Sequence, residues 1–98
     1  MKNANILIFG RHTGIMQNVM SFLKQHGFTR TKAVFTNENA MHELTTGRYD
    51  VLIIGGGVDH ETRKAIREYI AGKKIRTRIV EHFGNPSSLP DEIREAIS

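Results

Sequence analysis

Cysteine is absent from this 98-residue chain, which excludes disulfides, thiolate metal sites and cysteine nucleophiles together. Long apolar runs are absent as well. None is longer than Val51–Ile54, against the ~20 residues that a bilayer-spanning helix needs. The opening Met1–Asn5 leads into an apolar run too short for a signal-peptide core, so a cytoplasmic protein without membrane attachment is expected. Aromatic residues are only 7% of the chain and none is tryptophan, so stacking platforms for single-stranded nucleic acid are missing. Charge of one sign is in modest excess: 14 Lys and Arg against 10 Asp and Glu, a net +4. That balance suits an acidic protein partner and falls short of a nucleic-acid-binding signature.

What remains is an ordinary globular composition, 39% hydrophobic and 24% charged, in a chain of one-domain size. Strand-like and helix-like runs alternate through residues 1–98. The first strand, Asn5–Phe9, is apolar after its first residue and stops at Gly10, as a strand buried on both faces does. Ile15, Met16, Val19, Met20 and Leu23 recur at helical spacing, with Gly27 as the cap beyond them. Thr31–Phe35 is a more polar strand, and Lys32 within it marks a sheet edge. Asn37 can cap a short helix carrying Ala40, Met41 and Leu44, closed by Gly47. Tyr49–Ile54 is a second doubly buried strand. Asp59 can cap the next helix, whose expected buried stripe is Thr62, Ala65, Ile66, Tyr69 and Ile70, ended by Gly72. Ile75–Phe83 is the fourth strand. Ser88 with Asp91 reads as a capping box for a last helix through Ile93, Ala96 and Ile97, with Pro90 in its first turn.

Strict alternation of strand and helix with short loops implies a parallel sheet covered on both faces by right-handed crossovers. The two fully apolar strands belong in the centre and the charge-bearing ones at the edges. The expected architecture is therefore a three-layer α/β fold with four parallel strands in the order 2-1-3-4. The crossover direction reverses between strands 1 and 3, so their carboxyl ends form the switch point where such sheets bind ligands.

The stretch SFLKQHGFTRTKAVFTNENAMHELTTGRYDVLIIGG, residues 21–56, resembles a response-regulator receiver domain in its order and spacing of elements. The resemblance extends over about residues 5–70 and implies a flavodoxin-like fold and a signalling context. Receivers carry an acidic pair after strand 1, where this chain has Gly10 and Arg11. Their phosphoacceptor aspartate ends strand 3, where Gly55 stands. The late lysine has no counterpart, His82 being nearest by position, and one strand–helix unit is missing. The resemblance thus implies the fold without its phosphorylation chemistry. The loop in ILIFGRHTGI, residues 6–15, is similar to that of phosphotransfer-system IIB subunits, some of which use a histidine there; His12 takes that place.

Two glycine loops flank the switch point. Gly10, Arg11, His12, Thr13 and Gly14 follow strand 1, and Gly55, Gly56, Gly57 and Asp59 follow strand 3. Their amides and helix N-termini can cradle a small anion, with Arg11 and His12 as added donors. Tight turns also need glycine for their own sake, and neither loop has P-loop or dinucleotide-fingerprint spacing. Three histidines, His12, His60 and His82, fall on the carboxyl rim and could hold a metal with Asp59 or Glu81, or could simply be solvated. No cofactor is implied. No serine lies in a nucleophile elbow, and the pair Asp91–Glu92 is explained by a helix dipole, so no enzyme is expected.

Residues 63–78 carry seven basic side chains against Glu68 alone, a local +6 that suits either solvent or an acidic protein surface. Strand 4, as an edge beside the missing unit, is expected to leave an apolar patch that a homodimer would bury. The expectation is a non-enzymatic regulatory or protein-interaction module, with a small-anion-binding or phosphotransfer protein as the alternative.

Overall fold

The alternation read in the sequence becomes a parallel sheet because its two central strands have no polar side chain to present to water. In the computed structural model, which describes residues 4–82 and 85–98, β1 (Ile6–Phe9) and β3 (Val51–Ile54) are buried at every position. β2 (Thr31–Val34) and β4 (Arg78–Glu81) flank them, giving a four-stranded parallel sheet in the order β2-β1-β3-β4. Registers are unbroken: Ile6 pairs with Thr31 and Val51, and Phe9 with Val34 and Ile54. This is the expected flavodoxin-like arrangement.

Alternate residues of β1 and β3 feed two cores, because successive strand side chains point to opposite faces. Ile6, Ile8, Val51 and Ile53 meet Met16, Val19 and Leu23 of α1 (Thr13–Gln25) and Leu89 and Ile93 of α4 (Leu89–Ile97). Leu7, Phe9, Leu52 and Ile54 meet Ala40 and Leu44 of α2 (Asn37–Thr46) and Ile66 and Ile70 of α3 (His60–Gly72). Each fully buried Leu, Ile or Phe contributes about 1.5–3 kcal/mol relative to exposure. Lys32 on edge strand β2 reaches Glu43 of α2 at 2.8 Å, so the edge charge is satisfied within the fold.

Several boundaries differ from expectation, each for a local reason. The cap of α2 is Thr36, whose hydroxyl accepts from the Asn39 amide at 3.1 Å, and Asn37 is the first helical residue. Ala65 is exposed, and the buried stripe of α3 runs instead through Thr62, Arg63, Ile66 and Ile70. The capping box at α4 does not form: a 3-10 turn at Pro86–Ser88 leaves Ser88 in helical conformation, and its hydroxyl donates to Glu92 rather than accepting an amide. Strand β4 is shorter than Ile75–Phe83 because the Ile75 amide closes the turn after α3 by donating to Ile70 and the Thr77 hydroxyl donates to the Tyr49 carbonyl. Phe83 lies outside the described residues.

The end of α3 also moves past Gly72. The Lys74 amide donates to Ala71 and that of Ile75 to Ile70, the closure that α1 makes through Gly27 and Phe28. In α1 the left-handed position is Gly27, at φ 91°; in α3 it is Lys74, at φ 54°. A side chain there crowds the backbone. Lys74→Gly is therefore expected to raise stability by about 0.5–1 kcal/mol in urea denaturation.

The apolar patch expected beside β4 is not found among the described residues. Helix α4 covers that side, burying Leu89 and Ile93 with Val80 beneath them, and Ile97 packs against the same core. Among the described residues the exposed large hydrophobic is instead Ile15, 59% exposed on the first turn of α1. No helix among the described residues is long and apolar enough to cross a membrane.

Candidate functional site

Both central strands end in glycine, and the structure shows what each glycine makes room for. A Cβ on Gly10 would lie 2.6 Å from the Met16 sulfur, so a larger residue there makes the flexible Met16 side chain move aside. Gly55 donates its amide to the Phe9 carbonyl at 2.9 Å, which ties the start of the second loop to the first. A Cβ on Gly57 would meet the His12 ring at 3.4 Å. The two loops thus face one another across the switch point.

Between them lies a crevice of about 220 Å³ lined by Gly10, Arg11, His12, Ile15, Met16, Gly55, Gly56 and Gly57. Of the residues expected here, six line it. Thr13 and Gly14 lie beside it on the first turn of α1. Asp59 is outside it: its carboxylate caps α3 by accepting the Thr62 amide at 3.1 Å. Hydrogen bonding from Thr62, aided by the charge of Arg11, holds the Asp59 carboxyl below its usual value.

Arg11 is not the free donor that the sequence suggests. Its guanidinium lies 4.9 Å from the Phe9 ring centroid and donates at 2.8 Å both to the Phe35 carbonyl and to Asn37 Oδ1. Its charge stays at the crevice while two of its N–H groups brace β1 against the start of α2.

The N-terminus of α1 differs from those of the other helices. Helices α2 and α3 are capped by Thr36 and Asp59 and carry Glu38 and Glu61 in their first turns, and α4 carries Asp91 and Glu92. Helix α1 has no acidic residue in its first turn, and its N-cap, His12, makes no side-chain capping bond. The first intrahelical bond of α1 runs from the Met16 amide to the His12 carbonyl. The amides of Thr13, Gly14 and Ile15 precede it, and such N–H groups attract an anion.

The rim histidines do not converge. Among the described residues no group of three His, Cys, Asp or Glu is placed to hold a metal ion. His12 lies against Gly57, and His60 is exposed at the first position of α3. His82 is drawn inward to α4, where its Nδ1 sits 3.2 Å from both Glu92 carboxylate oxygens. The metal site that His12, His60 and His82 could have formed with Asp59 or Glu81 is therefore not assembled among the described residues.

Two arrangements went unread in the sequence. Arg63, 2% exposed, donates from Nε to the Val58 carbonyl at 3.0 Å, from Nη2 to the Gly55 carbonyl, and from Nη1 to Glu81 at 3.3 Å. It pins the glycine loop from beneath. Its spacing from Ile66 and Ile70 is the signal that places it on the buried face. Arg67 also pairs with Glu81, at 2.9 Å, so the basic stretch 63–78 presents less free charge than its composition implies. The second is the His82–Glu92 pair, whose partners are contributed by different elements.

A larger space, about 420 Å³, opens at the opposite end of the sheet between Asn5, Arg48, Asp50 and Arg76. Several of its polar groups are paired within the fold: Asp50 accepts the Asn5 amide at 2.8 Å, and Thr77 donates to Tyr49 at the same distance. No protein-family model and no curated protein matches the chain.

Proposed function

We propose that this chain is a non-enzymatic regulatory module that recognises a small anionic ligand at the switch-point crevice. The observation that carries this is the pairing of an uncapped α1 N-terminus with a crevice whose lining contains no carboxylate. An anion placed there meets backbone amides, the positive end of a helix dipole and the charge of Arg11, with no carboxylate in the lining itself.

The same lining argues against receiver chemistry. An aspartyl phosphate needs carboxylates to hold a metal ion and one to accept the phosphoryl group, and Gly10, Arg11 and Gly55 occupy those places. Phosphotransfer through His12 has the right loop, but among the described residues no carboxylate orients that imidazole. The response is carried to a protein partner in the cytoplasm. The exposed Lys64, Lys73, Lys74, Arg76 and Arg78 suit an acidic surface on it.

The test places an acid where the ligand's charge would sit. Thr13→Asp is expected to raise stability by about 0.3–1 kcal/mol, because a carboxylate in the first turn complements the dipole. The same substitution is expected to weaken inorganic phosphate binding at least tenfold in titration calorimetry. Unchanged phosphate affinity in this variant would overturn the proposal.

A further inference from the structure

Beside the crevice lies a second, smaller cavity of about 100 Å³ on the side of the sheet covered by α1 and α4. The two share Ile15, Met16, Gly55 and Gly56 as walls. The remainder of the smaller one is Ile8, Val19, Ile53, Pro86, Leu89 and His82, an apolar lining with one imidazole in it. His82 is 7% exposed, and its Nε2 is buried with no hydrogen-bond partner among the described residues. Buried polar atoms are nearly always paired, so an orphan on a ring that lines a cavity points to a missing partner. The other ring nitrogen, Nδ1, faces the Glu92 carboxylate. In a neutral ring a carboxylate at Nδ1 keeps the proton there and leaves the lone pair at Nε2. Glu92 is itself held by the Ser88 hydroxyl at 3.0 Å.

We propose that this cavity is the second half of the ligand site, taking a short apolar segment that ends in a hydrogen-bond donor received by His82 Nε2. The inference rests on the anion-binding reading of the adjoining crevice. A liquid-water molecule occupies about 30 Å³, so the cavity has room for a few heavy atoms and no more. The ligand class is thus a small phosphate or carboxylate bearing a short alkyl chain with a terminal hydroxyl or amide. Ile15, exposed on the shared wall, gives the alkyl chain apolar surface to cover. Glu92 is a positioning residue, acting through the imidazole it orients.

The experiment compares inorganic phosphate, propyl, butyl and pentyl phosphate, and the ω-hydroxyl counterparts of the three esters, at pH 8. Affinities are measured by calorimetry and the His82 ring nitrogens followed by ¹⁵N NMR. At one chain length the hydroxyl ester should bind about three- to tenfold tighter than its alkyl parent, the worth of one hydrogen bond. It should move the Nε2 resonance, while inorganic phosphate leaves that resonance in place. His82→Phe should erase the hydroxyl preference and keep phosphate affinity. Glu92→Gln, the milder change, should reduce the preference and alter the ring-nitrogen shifts of the free protein. Equal binding of alkyl and hydroxyl esters, or a preference that survives His82→Phe, overturns the proposal. 1-Propanol separates the two readings. If phosphate does not bind but propanol moves Nε2, the anion site fails and the His82 subsite stands; if phosphate binds and no hydroxyl probe moves Nε2, the subsite alone fails.

Discussion

Arg63→Ala is expected to destabilise the protein by about 3–5 kcal/mol, a large part of the 5–15 kcal/mol that holds a domain of this size together. The guanidinium is 2% exposed and makes its bonds to two loop carbonyls and a carboxylate at once. Removing it strips the buried Val58 carbonyl of its donor, while the Gly55 carbonyl keeps the Val58 amide and Glu81 keeps Arg67, and an unsatisfied buried acceptor costs more than the hydrogen bond was worth. Arg63→Met keeps much of the stem's volume and loses the same donors, so it should recover only part of the loss. Urea denaturation of the two variants checks both statements. A loss below about 1 kcal/mol for Arg63→Ala would mean that the loop carbonyls find water when the side chain is gone.

The second large effect is expected at Phe9. Its ring is fully buried at the end of β1, and Phe→Ala in a packed core costs about 3–5 kcal/mol. For a 98-residue domain that corresponds to a fall in Tm of more than about 12 °C. The variant should also loosen the carboxyl rim, since the Arg11 guanidinium rests on that ring before reaching Phe35 and Asn37. Phe9→Leu keeps most of the packing and removes the aromatic face. It should fold with a smaller loss while the Arg11 side-chain resonances broaden or move. Thermal unfolding gives the first quantity and NMR the second.

Sheet order was legible because burial on both faces of a parallel sheet leaves no alternation: Ile6–Phe9 and Val51–Ile54 carry no polar residue. Lys32 and Arg78 marked the edges for the complementary reason. The two glycine loops were legible as neighbours because strand order alone brings their carboxyl ends together. Side-chain commitments were not. Arginine on a helix is read as solvated by default, and only its spacing from Ile66 and Ile70 places Arg63 inside. Arg11 looked like a ligand donor because its partners, Phe35 and Asn37, follow a different strand. His82 and Glu92 meet only once α4 has packed against β4. The turn at Lys74 escaped notice because Gly72, two residues earlier, is the residue that such turns favour.

The central claim is that a small anion binds between the loops after β1 and β3, and backbone amide shifts on phosphate titration test it most directly. The expected result is a saturable set of shifts at Gly10–Ile15 and Gly55–Gly57, strongest at Thr13, Gly14 and Ile15. Shifts that instead concentrate in residues 63–78, or a spectrum that phosphate leaves unchanged, would contradict it.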